Sequence, residues 1–174
     1  MGPSDAYEIG RDRLSIQDVR GKKKVKEKPT EIFIEKMRGL LIDDEIPLVD
    51  LLSKFLDAEG YLTEKVTDGR LALKRLDEAL YDFIVCDIRI PGVDGVTLYR
   101  ELMERKSPNL EKIIFITGDA ISSDIQEFLE SAKRPFLSKP FDLQDIKKTI
   151  QQLMNEKGIL HQRGGILEGE RPCL

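Results

Sequence analysis

Short apolar runs alternate along this chain with amphipathic segments, and there are five of each. The apolar runs are rich in strand-forming residues, whereas the amphipathic segments carry apolar residues three and four positions apart, as helices do. This alternation predicts a parallel sheet with helices on both faces, joined by right-handed crossovers. We therefore expect an α/β fold with a doubly wound, five-stranded parallel sheet.

The turn residues between the apolar runs indicate where the elements begin and end. Asp68 is expected to cap the second helix, and Ser123 with Gln126 to form a capping box at the start of the fourth. Leu80 is expected on the apolar face of the second helix, and Asn109 in a loop. The strands are predicted at residues 39–42, 61–66, 83–86, 113–117 and 135–139.

The length and charge of the chain limit the classes of protein to which it can belong. Its 174 residues suit one domain of common size with flanking segments. The net charge is −4, but residues 1–38 carry +3 and the remainder carries −7. An acidic folded part argues against nucleic-acid binding by that part. We predict a basic flexible leader or linker at 1–36, one folded domain at 37–157, and a flexible tail at 158–174.

Three features of the sequence indicate the compartment in which the chain works. No apolar run reaches the roughly 18 residues that a membrane helix needs, and no signal-peptide core is present. The two cysteines, Cys86 and Cys173, have no metal-binding spacing, which suits a reducing compartment. We expect a cytoplasmic protein without membrane contact, with Cys86 packed in the core.

Polar side chains stand at the ends of four of the predicted strands. Asp43 and Asp44 follow the first strand, Asp87 follows the third, Thr117 ends the fourth and Lys139 ends the fifth. In the strand order 2-1-3-4-5, the first and third strands flank the point where the order reverses, and ligands bind there beyond the carboxyl ends. Three gathered carboxylates favour Mg²⁺ or Mn²⁺. With a lysine and a hydroxyl they suit phosphoryl transfer, with Asp87 as the candidate nucleophile.

Four motifs, in this order, make the chain resemble the receiver domain of two-component response regulators over about residues 37–157. They are LIDDE at 41–45, CDIRIPGVDG at 86–95, ITG at 116–118 and KPF at 139–141. The spacings agree as well, with 43 residues from Asp44 to Asp87, 30 more to Thr117 and 22 more to Lys139. The resemblance implies the flavodoxin-like fold of that family, with five βα units.

The resemblance assigns a role to each acid of the constellation. It implies that Asp87 is the phosphoacceptor, which takes a phosphoryl group from the phosphohistidine of a partner kinase. Asp44 and Asp87 would bind Mg²⁺ directly, and Asp43 would act through a water molecule. The backbone carbonyl of Arg89 would complete the protein ligands.

The resemblance also implies a two-state switch. Lys139 would pair with the phosphoryl oxygens, and its bond to Pro140 would be cis. Thr117 would move towards the phosphoryl group, and Phe136 would pack inward as it does so, which changes the surface of the fourth helix, fifth strand and fifth helix. Taken alone, Thr117 would be an ordinary strand-end residue and Phe136 a core aromatic, so these roles depend on the resemblance.

The implied partners are a sensor histidine kinase or a phosphotransfer protein as phosphoryl donor, and a downstream protein that reads the result. The stretches 117–130 and 134–142 resemble the receivers found at the C-terminus of hybrid histidine kinases. The sequence has no phospho-donor histidine motif and no nucleotide-binding glycine motif. We therefore expect a phosphoryl acceptor that can lose its phosphoryl group by itself, and not an enzyme.

Two other functions stay open at this point. A metal-dependent phosphatase that forms an aspartyl-phosphate would use similar groups, but such enzymes usually place Asp-x-Asp after the first strand, whereas Asp43 and Asp44 are adjacent. A receiver-like module could bind partners without phosphorylation, although the complete set of acids with Thr117 and Lys139 argues against this. Turnover of a generic phosphoester would distinguish the phosphatase from the receiver.

Overall fold

A computed structural model describes residues 36–118 and 122–156 of the chain. The strands are β1 (Arg38–Ile42), β2 (Leu62–Val66), β3 (Phe83–Asp87), β4 (Ile113–Thr117) and β5 (Phe136–Ser138). The helices are α1 (Ile46–Ala58), α2 (Gly69–Glu78), α3 (Gly95–Glu104), α4 (Ser123–Ala132) and α5 (Leu143–Glu156), and a 3₁₀ turn, Leu110–Lys112, precedes β4. All strand pairs are parallel, in the order β2-β1-β3-β4-β5. The predicted doubly wound fold is confirmed.

The sheet separates the core into two layers, one on each face. β3 and β4 are buried along their whole length, and their successive side chains point to opposite faces of the sheet. One apolar cluster packs under α2, α3 and α4, and the other packs under α1 and α5. In the first cluster the rings of Tyr99, Phe115 and Phe128 pack edge to face, with centroids 5.2 to 5.8 Å apart.

The first turns of α2 and α4 show where the capping predictions hold. Asp68 Oδ1 accepts two backbone N–H groups of α2, at 2.8 and 3.2 Å, so the predicted cap is confirmed. In α4 the cap position belongs to Ser122, and Ser123 is already the first helical residue. The predicted capping box of Ser123 with Gln126 is therefore wrong, because the Ser123 hydroxyl lies within the first turn and donates to a neighbouring carboxylate at 3.2 Å.

The C-terminus of α2 lies earlier than its apolar pattern indicates. The helix ends at Glu78, Ala79 is extended, and Leu80 is 59% exposed. The prediction that Leu80 lies on the apolar face of the helix is therefore wrong. The cause is Asn109, whose buried amide donates to Leu76 O at 3.0 Å and to Ala79 O at 2.9 Å. These bonds satisfy carbonyls at the helix end, where the helix itself offers no donors.

Some predictions concern parts of the chain that the structure does not describe. All of the predicted leader except Lys36, and the whole predicted tail, lie outside the described residues. The domain boundaries at 37 and 157 therefore stay predictions. Within the described residues, no helix combines the length and the apolar character that crossing a bilayer requires. The cytoplasmic location also stays a prediction.

Candidate functional site

The carboxyl edge of the sheet gathers the acids that the sequence places at strand ends. Asp43 and Asp44 directly follow β1, and Asp87 is the last residue of β3. Strands β1 and β3 are neighbours, with Ile42 beside Cys86, so the residues that follow them emerge together. Asp43, Asp44 and Asp87 each offer a carboxylate oxygen, and these oxygens lie within 4.8 Å of one another. The cluster lies where the strand order reverses, which is the ligand-binding position in sheets of this kind.

Lys139 reaches this cluster from the end of β5. Its Nζ donates to Asp43 Oδ2 at 2.8 Å, to Asp87 Oδ2 at 2.6 Å and to Glu45 Oε1 at 2.7 Å. Burial lowers the pKa of Lys139, but the hydrogen bonds to the three carboxylates outweigh burial and hold the pKa above its usual value. The ammonium group is therefore charged at neutral pH and is shared by three acids.

Asp43 is the most enclosed acid of the cluster, with 1% of its surface exposed. Its backbone N–H donates to Val66 O at 3.1 Å, and its Oδ1 accepts the backbone N–H of Glu45 at 2.8 Å. Burial raises the pKa of Asp43, and the hydrogen bonds from Lys139 and Glu45 offset only part of that rise. A divalent cation in the cluster, in addition to Lys139, would further favour the charged form of this carboxylate.

Asp87 has a donor on each carboxylate oxygen. Oδ2 accepts from Lys139, and Oδ1 accepts the backbone N–H of Arg89 at 3.0 Å. The side chain is 8% exposed, so the two donors fix its direction in a nearly closed setting. The preceding residue, Cys86, is fully buried in the core, as predicted, and burial raises the pKa of its thiol.

A cleft of about 470 Å³ opens beside the acids. Asp44, Arg89 and Pro91 contribute to its lining from the strand ends, and Ser122 and Ile125 contribute from the start of α4. Clefts of this size accept small ligands. The volume is ample for a phosphoryl group, and Asp44 is the acid of the carboxylate cluster that lines the cleft.

Thr117 and Phe136 lie in different surroundings. Thr117 is fully buried, and its backbone oxygen accepts the N–H of Lys139 at 2.8 Å. Phe136 pairs with Phe115, two residues before Thr117, and is 47% exposed. The inward packing expected of Phe136 belongs to a different state of the molecule, and it stays a prediction. The bond between Lys139 and Pro140 is cis, as predicted.

Glu45 contacts the site, although the sequence patterns assign it no role. It lies directly before α1, its side chain is 61% exposed, and it holds Lys139 from the solvent side. An ion pair with so exposed a partner contributes about 0–1 kcal/mol to stability. The available signal was its position two residues after Asp43, which places a further acid in the same turn.

A family model for the response regulator receiver domain matches residues 40–151, which include every site residue described above. Among curated proteins, the transcriptional regulatory protein RprY of Bacteroides fragilis is 33% identical over 121 residues. The aligned part covers 69% of this chain and 50% of RprY. This chain therefore spans about half the length of that relative.

Solved receiver structures resemble this one in fold. One is the receiver domain of a sensor histidine kinase of Pseudomonas aeruginosa with a magnesium ion in its active-site cleft. It is 27% identical, has a TM-score of 0.62, and the match covers 70% of this chain and 99% of that one. Another is the response regulator TrrA of Thermotoga maritima in complex with Mg²⁺ and BeF, which is 30% identical with a TM-score of 0.58. That match covers 67% of this chain and 98% of TrrA.

Proposed function

Because this chain belongs to the response regulator receiver family, we propose that Asp87 accepts a phosphoryl group from the phosphohistidine of a partner protein. The observation that carries the proposal is the hydrogen bond from Lys139 Nζ to Asp87 Oδ2, within a carboxylate cluster at the switch point of the sheet. The proposed donor is a sensor histidine kinase or a phosphotransfer protein, because receiver domains interact with proteins of these two kinds.

The proposed reaction requires mainly position and charge from the protein. An ionised carboxylate needs no general base, so an oxygen of Asp87 can attack phosphorus directly. The new O–P bond forms as the P–N bond of the phosphohistidine breaks, and the electron pair leaves with the imidazole nitrogen. Lys139 is already in contact with Asp87 and would neutralise charge on the phosphoryl oxygens. The chain would then be a phosphoryl acceptor and not an enzyme that turns over a substrate.

The carboxylate cluster has the donor chemistry of a site for a divalent cation. Its oxygens lie close enough to share one ion, and an all-oxygen set is what Mg²⁺ or Mn²⁺ prefers. We propose that Asp44 and Asp87 bind the ion directly, that Asp43 acts through a water molecule, and that the carbonyl of Arg89 completes the set. When bound, the cation would supply positive charge to the transferring phosphoryl group. The two solved receivers with magnesium support a magnesium site at this cluster.

Mg²⁺ is expected to raise the melting temperature of the wild-type chain, and Asp44→Asn is expected to abolish that rise. A ligand that binds only the folded state stabilises it by about 2.7 kcal/mol at 100 times its Kd. Thermal unfolding with and without Mg²⁺ measures the effect. Asp124→Asn is the matched control, because Asp124 lines the same cleft but lies outside the carboxylate cluster. A full Mg²⁺-dependent rise in Asp44→Asn would contradict the ligand assignment.

The proposed function is tested by the intact mass of the wild-type chain after incubation with acetyl phosphate, with and without Mg²⁺. The expected result is one added phosphoryl group per chain, formed only when Mg²⁺ is present. Continuous hydrolysis of a generic phosphoester would indicate a phosphatase instead. If no adduct is found, beryllofluoride binding would reveal a short-lived phospho-form. If the chain shows neither the adduct nor beryllofluoride binding, it signals by contact alone, and the proposal would be wrong.

We propose that phosphorylation is read by a downstream protein on the surface of α4, β5 and α5. Phe136 lies on β5 with 47% of its surface exposed, so it can lose exposure by packing inward when Thr117 moves. The relatives include a transcriptional regulator and the receiver of a sensor kinase. These relatives are compatible both with a receiver in a transcriptional regulator and with a receiver in a hybrid kinase, so the likeness to hybrid kinases stays a prediction.

A further inference from the structure

The loop that follows Asp87 packs against the start of α2. This loop, residues 88–94, joins β3 to α3. Gly69, the first residue of α2, donates its backbone N–H to Pro91 O at 3.0 Å. A Cβ at Gly69 would overlap Val93 O, far inside van der Waals contact. Only glycine lets the two backbones approach this closely.

A second close approach lies at the neighbouring residues. Asp68 uses Oδ1 to cap α2, and its Oδ2 lies 2.6 Å from the place that a Cβ on Gly92 would take. Gly92 has a φ of +81°, in the left-handed region that glycine adopts without strain. The loop can therefore lie directly on the start of α2, because Asp68 and Gly69 at that start and Gly92 of the loop leave room for the close contact.

The other parts of the loop are tied to the phosphoacceptor. The backbone N–H of Arg89 donates to Asp87 Oδ1 at 3.0 Å, and the N–H of Gly95 donates to Ile88 O at 2.8 Å. A Cβ at Gly95 would lie 2.7 Å from Asp87 O, so the loop has no free space on that side. The loop is thus held between α2 and the end of β3, and a displacement at Val93 would be transmitted to Arg89 and Asp87.

We propose that the start of α2, through Gly69 and Asp68, positions this loop for metal binding and phosphoryl transfer at Asp87. The inference rests on the proposed function, because it concerns the same site. Gly69 has no side chain and acts only through the loop, so it is a positioning residue. A misplacement of about 1 Å lowers reaction rates by about 100-fold, and the loss of an outer contact weakens metal binding by about 10- to 100-fold.

The first test compares Gly69→Ala with the wild-type chain. We expect Mg²⁺ affinity, measured by titration calorimetry on the folded variant, to fall by about 10-fold, and phosphorylation by acetyl phosphate to slow by about 100-fold. Leu76→Ala is the matched control, since it removes a buried side chain from the same helix and lowers the melting temperature. It should bind Mg²⁺ like the wild type. Unchanged affinity and rate in Gly69→Ala would overturn the inference.

A second pair of variants keeps the inference testable if Gly69→Ala does not fold. Gly92 lies in an exposed turn, so Gly92→Ala should fold and bind Mg²⁺ more weakly. Asp68→Ser keeps a capping oxygen but removes the carboxylate oxygen that faces Gly92, so adding it to Gly92→Ala should restore part of the affinity. Independent effects of the two changes would overturn the inference.

The wild-type measurements separate the two proposals. A wild-type chain that takes up neither Mg²⁺ nor a phosphoryl group would overturn the proposed function, and the role of Gly69 with it. A wild-type chain that takes up both, with a Gly69→Ala variant that behaves in the same way, would overturn the positioning role alone.

Discussion

Asp87→Ala is expected to remove all phosphorylation by acetyl phosphate, within the detection limit of intact-mass analysis. Asp87 combines a nearly buried carboxylate, a direct bond to Lys139 and a place at the switch point of the sheet. Asp43 also accepts from Lys139 and from a backbone N–H group, but it is more deeply enclosed than Asp87. Alanine leaves no oxygen at position 87 to form the acyl phosphate.

The matched control for this experiment is again Asp124→Asn, which removes an acid of the same cleft and should still gain one phosphoryl group per chain. Borohydride reduction of the phosphorylated wild type, followed by peptide mapping, identifies the modified residue directly. An adduct of unchanged yield in Asp87→Ala, or a reduced residue at another aspartate, would show that the acceptor is wrongly assigned.

Asn109→Ala is expected to lower the free energy of unfolding by about 3 kcal/mol or more. Asn109 is fully buried. Its Oδ1 accepts the backbone N–H of Tyr81 at 3.1 Å, and its Nδ2 donates to the carbonyls of Leu76 and Ala79. Alanine would leave one donor and two acceptors without these bonds, and each unsatisfied buried group costs about 1–3 kcal/mol. Urea unfolding, with the slope held equal between variants, measures the difference.

Asn155→Ala makes the same chemical change at an exposed position of α5. It should change the free energy of unfolding by no more than about 0.5 kcal/mol, since alanine is the better helix former. Equal losses in the free energy of unfolding in the two variants would mean that the buried hydrogen bonds of Asn109 do not stabilise the fold. Mg²⁺ binding should persist in folded Asn109→Ala, because this residue lies at the amino ends of the strands.

The placement of the acids could be predicted from the sequence because it follows from the strands alone. The short apolar run that ends in Asp87 is rich in strand-forming residues and therefore predicts a strand, and parallel strands deliver their carboxyl ends to one edge. Asp43, Asp44 and Lys139 follow other strands in the same way. Their gathering at one point needs only the strand order, which the alternation of strands and helices strongly limits.

Other contacts could not be predicted because they join positions that are distant in the sequence and leave no periodic signal. Asn109 bonds to carbonyls 33 and 30 residues away, and in the sequence it is only a loop residue after a proline. Leu80 fits the helical pattern, yet these bonds end α2 before it. The close approach of Gly69 to Val93 is likewise a contact between two backbone segments. The sequence shows a glycine at position 69 but not which part of the chain packs against it.

The two layers of the core have a consequence for the direction in which the site can signal. Along β3, Cys86 belongs to the cluster under α2, α3 and α4, so the side chain of the next residue, Asp87, points to the opposite face of the sheet. Along β4, Phe115 belongs to that same cluster, and the side chain of Thr117, two residues later, points to the same face as Phe115. The side chains of Asp87 and Thr117 therefore leave the sheet towards different helical layers. The proposed phosphorylation of Asp87, followed by movement of Thr117, would therefore act on both helical layers at once. A one-residue shift in either strand would place both side chains on the same face of the sheet.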